Sequence, residues 1–291
     1  MSEAVKRLED YDRQTWYRAT VRSSERITPN ESDVEVREIV LDVDRPDFRY
    51  EAGQSIGVLA PGSAEFGQPQ HFRLYSVADL PDTAESGEPR IKICVRRCSY
   101  IDKYSGERYD GVASNYLCDL QSGDSVSITG PYGHAFDVPE EHDANLVLIG
   151  TGTGIAPFRA LVKHLYRDVP DWRGRVWLFY GARSGLELLY MNDAVDDFAQ
   201  YYDKETFEAF KALSPRPNWA DPIAWDDAIA ERGDELWDML GDPRTYVYVA
   251  GLEKMRDELD NVFTRLAGSK KKWARRKAEL MAGTRWVELL Y

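Results

Sequence analysis

The chain has 291 residues, 43% hydrophobic and 12% aromatic, with a net charge of −13; that is enough for two ordinary domains and the wrong sign for a nucleic-acid binder. Three cysteines and four histidines without metal-ligand spacing exclude an iron–sulfur or zinc site, so any redox chemistry must come from an organic cofactor. No apolar run approaches the roughly 18 residues of a membrane span, and Met1 to Arg13 is too dense in charge to be a signal peptide, which predicts a cytoplasmic protein with no membrane insertion. In that compartment Cys94, Cys98 and Cys118 are expected as reduced, half-buried thiols in strands.

Residues 1–15 form a charged N-terminal arm with no chemistry of its own. From Tyr17 the pattern is short and alternating. Strands are predicted at Tyr17 to Glu25, Val34 to Val43, Ser55 to Leu59, Phe72 to Ala78, Ile91 to Arg97 and Ser125 to Thr129, with a Pro-, Gly- and Gln-rich loop from Ala60 to Gln70. Such strands, separated by turn signals, indicate an antiparallel barrel or sandwich. The acidity is concentrated here: residues 1–143 carry −11 and residues 144–291 only −2.

After Asp143 the texture changes. Leu146 to Ile149 is a short buried-strand signal, followed by Gly150-Thr-Gly-Thr-Gly154, where glycines permit a tight turn and close approach of a ligand. Pro157 suits the first turn of the following helix. Strand, glycine turn and helix N-terminus together make an anion site, with N–H groups facing a nucleotide pyrophosphate. Further on come a strand at Arg175 to Gly181, a helix through Met191 to Tyr202, a strand at Tyr246 to Gly251 and a helix at Met255 to Ala267. The chain ends on a strand-like Trp286 to Tyr291. Strands alternating with helices imply a parallel sheet covered on both faces. The fold class is therefore α+β with two domains, an antiparallel β-barrel followed by a parallel-sheet α/β nucleotide domain.

Several stretches in a fixed order give this architecture a family. Arg73-Leu-Tyr-Ser76, Cys94-Val-Arg-Arg97, Gly111 to Asp119, Gly150 to Arg159, Tyr246 to Met255 and Trp286 to Tyr291 resemble the plant-type branch of the ferredoxin–NADP⁺ reductases, from about residue 15 to the end. The resemblance implies an FAD-binding barrel over residues 16–143 and an NAD(P)-binding domain over residues 144–291. It implies hydride transfer between nicotinamide C4 and flavin N5, atoms that must approach to roughly 3–3.5 Å. Arg73, a planar fork suited to phosphate, would hold the FAD pyrophosphate. Tyr75 would stack on the isoalloxazine, with Leu74 beside it, and Ser76 would hydrogen-bond near N5. Cys94, Val95 and Arg96 belong to the flavin motif, Tyr100 to the adenine, and Gly111, Val112, Ala113 and Ser114 to the phosphates. Thr153, Gly154, Pro157, Gly251, Leu252 and Met255 would line the coenzyme site. Tyr291 would stack over the flavin until nicotinamide displaces it.

Three departures matter. The tail Val287-Glu-Leu-Leu-Tyr291 aligns in two ways: on Glu288, which puts Leu290 in the tyrosine's place, or on Tyr291, which puts Leu289 in the glutamate's. Tyr291 is taken as the stacking residue and Glu288 as the catalytic acid. Ala250 stands where the family has a cysteine beside the nicotinamide, which predicts slower or differently oriented transfer. In the coenzyme loop Pro215 splits Ser214 from Arg216, no lysine follows before Glu231, and Asp221, Asp226 and Asp227 do. A hydrogen bond to a charged group is worth about 1.5–3 kcal/mol, so losing two erases a hundredfold preference. Ser214 and Arg216, helped by Arg183, still favour NADP(H), with NAD(H) the alternative and Trp225 a candidate adenine stacker.

Electrons must then leave to a separate carrier, a ferredoxin or flavodoxin. The run Lys270, Lys271, Lys272, Arg275, Arg276 and Lys277 would steer an acidic one or form a solvated helix face; Arg96 and Arg97 would add to it or serve FAD. Two other functions fit the same residues: the reductase component of an oxygenase or epoxidase system, and a flavin-binding sensor or assembly subunit with little turnover.

Overall fold

The computed structural model describes residues 8–62, 70–133, 136–217 and 221–291. The first seven residues of the charged arm and most of the Pro-, Gly- and Gln-rich loop lie outside these. Two compact units emerge, one drawn from Met1–Ile27 with Asp33–His134, the other from Thr28–Ser32 with Ala135–Tyr291.

The first unit is built on strands β1 (Trp16–Arg26), β2 (Val36–Val43), β3 (Ser55–Pro61), β4 (Gln70–Ser76), β5 (Asp82–Thr83) and β6 (Pro89–Arg96). A small hairpin of β7 (Ser99–Ile101) and β8 (Arg108–Asp110) follows, then helix α1 (Val112–Asp119) and strand β9 (Ser125–Tyr132). The main sheet runs β4-β3-β9-β1-β2-β6-β5, antiparallel at every pairing. The chain leaving β4 bridges back to β6 through Val77 and Ile93, and Ala78 N–H donates to Lys92 O at 2.8 Å. The sheet thereby curls onto itself as a barrel. Its interior is β-branched and aliphatic: Ile39, Leu41, Ile56, Val58, Ile91, Ile93, Val126 and Ile128 are buried. Every second residue of a strand points inward, which is why the alternation was readable. The cysteines are corrected: Cys94 lies buried in β6, but Cys98 is exposed outside any strand and Cys118 is buried in α1.

Arg97 ties this unit together. It donates to Glu35 at 2.8 Å, to Asn115 at 3.0 Å and to Asp119 at 2.8 Å, joining the end of β6, the approach to β2 and helix α1. Its guanidinium is thus committed to groups of this unit. Hydrogen bonds from Arg97, opposed by burial and then aided by Arg37, hold the Glu35 carboxyl below its ordinary 4.5. A carboxylate whose folded pKa is depressed adds stability that is complete above the unfolded pKa and is lost as pH falls through the folded one. Glu35→Gln is therefore expected to lower the melting temperature at pH 7 while flattening its decline below pH 4.5. Parallel acid slopes for the two proteins in a pH series of melts would contradict this.

The second unit carries β10 (Asn145–Thr151), α2 (Ile155–Asp168), β11 (Val176–Ala182), β12 (Phe207–Leu213), α3 (Trp225–Ala230) and α4 (Gly233–Met239). It continues with β13 (Thr245–Gly251), α5 (Met255–Leu266), α6 (Lys270–Ala282) and β14 (Trp286–Leu290). All five strands are parallel, in the order β12-β11-β10-β13-β14. All of β11 and nearly all of β10 are buried, as expected of strands covered on both faces. Under the α5–α6 side lie Phe263, Trp273, Leu280 and Trp286.

Two expectations fail here. Met191 to Tyr202 is not an α-helix; Met191 bridges to Asp196 and only Phe198–Tyr201 coils, as a short 3-10 turn. The Asn192 side chain accepts from the N–H groups of Ala194 and Val195 at 2.9 and 3.0 Å, a local turn that outcompetes helix. Trp225 does not face a ligand. It is buried in the core, where a Cβ on Gly181 would come within 2.6 Å of its ring, and it donates to Glu258 at 3.3 Å.

Candidate functional site

In an open parallel sheet, ligands bind beyond the carboxyl ends of the strands where the strand order reverses. Here the reversal falls between β10 and β13, because β11 and β12 lie to one side of β10 and β13 and β14 to the other. The loops leaving these two strands are packed to the limit. A Cβ on Gly154 would lie 2.2 Å from the Ala250 carbonyl oxygen, and one on Gly251, whose φ is +145°, would lie 2.4 Å from Thr151 Oγ1. Thr151 Oγ1 in turn donates to the buried Met255 Sδ at 2.9 Å. Thr153, Gly154, Gly251, Leu252 and Met255 are thus brought together from opposite ends of the unit, and Leu252 is exposed.

The expected phosphate cradle is smaller than the glycines suggested. Gly152–Gly154 forms a 3-10 turn, and Ile155 N–H donates back to the carbonyls of Gly152 and Thr153. With Pro157 in the first turn of α2 carrying no N–H, two of the donors a helix N-terminus offers are gone.

The tail resolves its own register. Trp286 to Leu290 pairs with Val247 to Gly251 residue for residue, without a bulge. Tyr291 N–H donates to Gly251 O at 2.9 Å, and its hydroxyl meets Thr153 Oγ1 at 2.6 Å. Tyr291 therefore sits on the rim of the crevice, and Leu289, two residues before it, shares its side of the strand. Glu288 is on the other side with Trp286. It accepts from Trp286 Nε1 at 2.7 Å and Arg256 Nε at 2.8 Å, with Lys277 Nζ at 3.5 Å. Burial works against its charge, but these donors outweigh it and hold the carboxyl below its ordinary value. Glu288, expected as the catalytic acid, here joins β14 to α5 and α6.

At the outer edge of the sheet, Arg183, Ser214 and Arg216 converge at the ends of β11 and β12. Arg183 donates to Pro217 O at 2.5 Å, and Ser214 N–H to Ala182 O at 3.2 Å. Strand β12, not foreseen from sequence, brings Ser214 and Arg216 there. Its charged Glu208 and Lys211 interrupt the apolar run, as suits an edge strand.

The barrel unit presents a second surface. Tyr100 on β7 and Tyr109 on β8 stack with centroids 5.6 Å apart and planes 23° apart. Tyr100, Ile101, Tyr104 and Tyr109 of the hairpin and Val112 at the start of α1 are all exposed, an apolar patch of the kind that ligand surfaces carry. Tyr109 was not singled out from sequence; its alternation with Tyr100 across a hairpin was the available signal. Gly111 caps α1, whose first turn holds no acidic residue. The Ser114 hydroxyl is already engaged, accepting from Cys98 N–H at 3.2 Å and donating to Gly111 O at 3.3 Å, so it serves to shape this turn. Arg73 is exposed; among the described residues it donates to its neighbour Phe72 O, at 2.8 Å, and neither it nor Arg96 meets a carboxylate. Tyr75 is packed against the barrel core, and burial raises its phenol above the ordinary value. Ser76 pairs with Ser55, with hydroxyls 3.5 Å apart. Flat exposed rings, uncommitted guanidinium groups and an acid-free helix start are the chemistry a flavin dinucleotide requires, so the residues fit FAD. Cys94 and Val95 are both buried within β6, Val95 in the barrel core with Ile91 and Ile93 and Cys94 on the opposite side of the strand.

On α6 the basic run divides. Trp273 is buried, Lys277 is committed to Asp260 at 2.9 Å and to Glu288, and Arg276 lies over Trp237 at 4.9 Å. Lys270, Lys271, Lys272 and Arg275 remain on the surface, with Arg275 near Glu279 at 2.9 Å. No helix among the described residues is long and apolar enough to cross a membrane.

Comparison with known proteins agrees with this division. Residues 19–136 match the oxidoreductase FAD-binding domain family and residues 148–260 the oxidoreductase NAD-binding domain family. The chain is 33% identical over 257 residues to a ferredoxin–NADP reductase from Spirulina sp., covering 86% of this chain and 87% of the relative. It is 35% identical over 264 residues to the chloroplastic leaf isozyme 1 of Oryza sativa subsp. indica, covering 84% and 68%. Against the ferredoxin–NADP reductase of Synechocystis sp. it is 34% identical over 257 residues, but spans only 62% of that protein's length. In fold it resembles the ferredoxin–NADP⁺ reductase of Plasmodium falciparum, with a TM-score of 0.70 at 18% identity over 97% of this chain and 98% of the other. An antiparallel flavin unit, a parallel coenzyme unit and identity of a third over most of the chain together show that this protein belongs to the ferredoxin–NADP reductase family.

Proposed function

We propose that the chain is an FAD-dependent reductase that exchanges electrons between a nicotinamide coenzyme and a separate one-electron carrier, a ferredoxin or flavodoxin. The observation that carries this is the β10–β13 crevice, rimmed by Thr153, Leu252 and a docked C-terminal Tyr291, in a chain whose other unit offers an aromatic and arginine surface for a flavin. FAD, when bound, supplies acceptance of a hydride and its release as single electrons. Arg73 and Arg96 would hold the pyrophosphate by charge-assisted hydrogen bonds, and the Tyr100–Tyr109 stack would receive the adenine. Tyr75 and Ser76, at the end of β4, would orient the isoalloxazine. Tyr291 would hold the nicotinamide position until displaced; its hydroxyl bond to Thr153 must break as it moves. With Ala250 in place of a cysteine, the residue beneath that position offers only a methyl group.

NADP(H) is the favoured coenzyme, because the relatives of known activity are NADP reductases and because Arg183, Ser214 and Arg216 meet in one place. Lys270, Lys271, Lys272 and Arg275 would face the acidic carrier, raising its association rate more than its affinity. Three free thiols suit a reducing compartment, and we place the protein in the cytoplasm. The test is anaerobic reduction of the purified flavoprotein by NADPH and NADH in separate mixing experiments. Rapid bleaching of the flavin, followed by reduction of an added ferredoxin, is expected. Bleaching by neither coenzyme would end this proposal.

A further inference from the structure

After β12, Ser214 N–H is bonded to Ala182 O and Ala224 N–H to Leu213 O, each at 3.2 Å. Asp221, between these two bonds in the chain, takes both polar groups that would receive a coenzyme phosphate. Its backbone carbonyl accepts from the Ser214 hydroxyl at 2.9 Å. Its carboxylate accepts from Arg216 twice, from Nε at 2.7 Å and Nη2 at 3.3 Å. A guanidinium fork on a carboxylate is the same planar, two-point match that it makes with phosphate. The Asp221 side chain is 22% exposed and that of Arg216 64%. The acid is therefore seated in the loop, and the arginine reaches back to it from solvent.

We infer that Asp221 is a specificity-determining residue: its carboxylate competes with the coenzyme's 2′-phosphate for Arg216 and so narrows the advantage of NADPH over NADH. This rests on the reductase function proposed above, with the coenzyme's ribose at the β11–β12 edge. A 2′-phosphate must displace the carboxylate from the guanidinium while bringing its own charge to a loop that continues into Asp226 and Asp227. Asp226 is partly neutralised by Arg265 at 2.5 Å; Asp227 is exposed at the start of α3. A ribose with a free 2′-hydroxyl makes no such demand and leaves the Asp221–Arg216 pair standing. In dinucleotide-binding sheets a carboxylate serves the 2′-hydroxyl and an arginine the 2′-phosphate; here the two are bonded to each other.

The test titrates the flavin-loaded protein and its Asp221→Asn variant with 2′,5′-ADP and with 5′-AMP, alongside flavin bleaching by NADPH and NADH. The amide keeps the size of the side chain and the carbonyl that holds Ser214 while removing the charge. Asp221→Asn is expected to bind 2′,5′-ADP at least tenfold more tightly with 5′-AMP unchanged, and the NADPH-to-NADH ratio of kcat/KM should rise in step. Asp221→Ser should do the same, which covers a failure of the first variant to fold. Adding Arg216→Ala to Asp221→Asn should abolish the gain. Unchanged or weaker binding of 2′,5′-ADP by the single variants, including no binding by any protein, would overturn the inference; so would a gain that survives loss of Arg216. Normal bleaching with an unmoved coenzyme ratio would sink this inference alone, whereas no bleaching of the wild type would sink the reductase function first.

Discussion

Gly154→Ala is expected to weaken coenzyme binding by roughly five- to a hundredfold while the protein keeps its flavin. The backbone at Gly154 is ordinary for a helix start, with φ −61° and ψ −13°, so no conformational penalty arises. The cost is steric: the new methyl would lie 2.2 Å from the Ala250 carbonyl oxygen and 2.5 Å from its carbon. These are backbone atoms of β13 and cannot rotate away. Overpacking of this kind costs about 1–3 kcal/mol, and about 1.4 kcal/mol is a factor of ten in affinity. Because the displaced atoms are the rim of the crevice, the strain appears as lost NADPH affinity. Gly185→Ala is the control, since nothing lies within 4 Å of its Cβ, and it should behave as wild type. Stopped-flow bleaching across a range of NADPH concentrations reads both. Unaltered affinity in Gly154→Ala would move the coenzyme away from the β10–β13 reversal.

Arg73→Ala should act on the other cofactor, weakening FAD retention by about ten- to a hundredfold, the equivalent of one charge-assisted contact worth about 1.5–3 kcal/mol. Arg73 is exposed and, within the described protein, gives one hydrogen bond to Phe72 O. Its removal therefore leaves the β3–β4 pairing intact, and the apoprotein should melt as before. Arg97→Ala should do the reverse. It strips Glu35, Asn115 and Asp119 of their common donor, so the melting temperature should fall whether or not flavin is present. Fluorescence titration of apoprotein with FAD, paired with melting of both variants, separates the two arginines. Equal FAD affinity in Arg73→Ala and wild type would remove Arg73 from the pyrophosphate site.

Two neighbouring arginines, Arg96 and Arg97, show how far local sequence reaches. Both belong to one motif, and nothing in their order distinguishes a guanidinium open to a phosphate from one bound to three partners drawn from Glu35, Asn115 and Asp119. The tail makes the same point: its two alignments were equivalent as strings, and only the unbroken pairing of β14 with β13 put Leu289 and Tyr291 on one side and Glu288 on the other. Trp225 looked like a loop aromatic because α3 is six residues long, too short to show a helical period.

The amino-acid sequence by itself determined the two architectures, since alternation with period two and continuous apolar runs are consequences of one-sided and two-sided burial. It also determined the glycine turn at Gly150–Gly154. The tertiary structure alone decided which charges are available. Arg97, Arg276, Lys277 and Glu288 are engaged by groups distant in sequence, and Arg216 by an acid five residues on. A titratable side chain's role depends on its nearest opposite charge, and that neighbour is set by packing rather than by order along the chain.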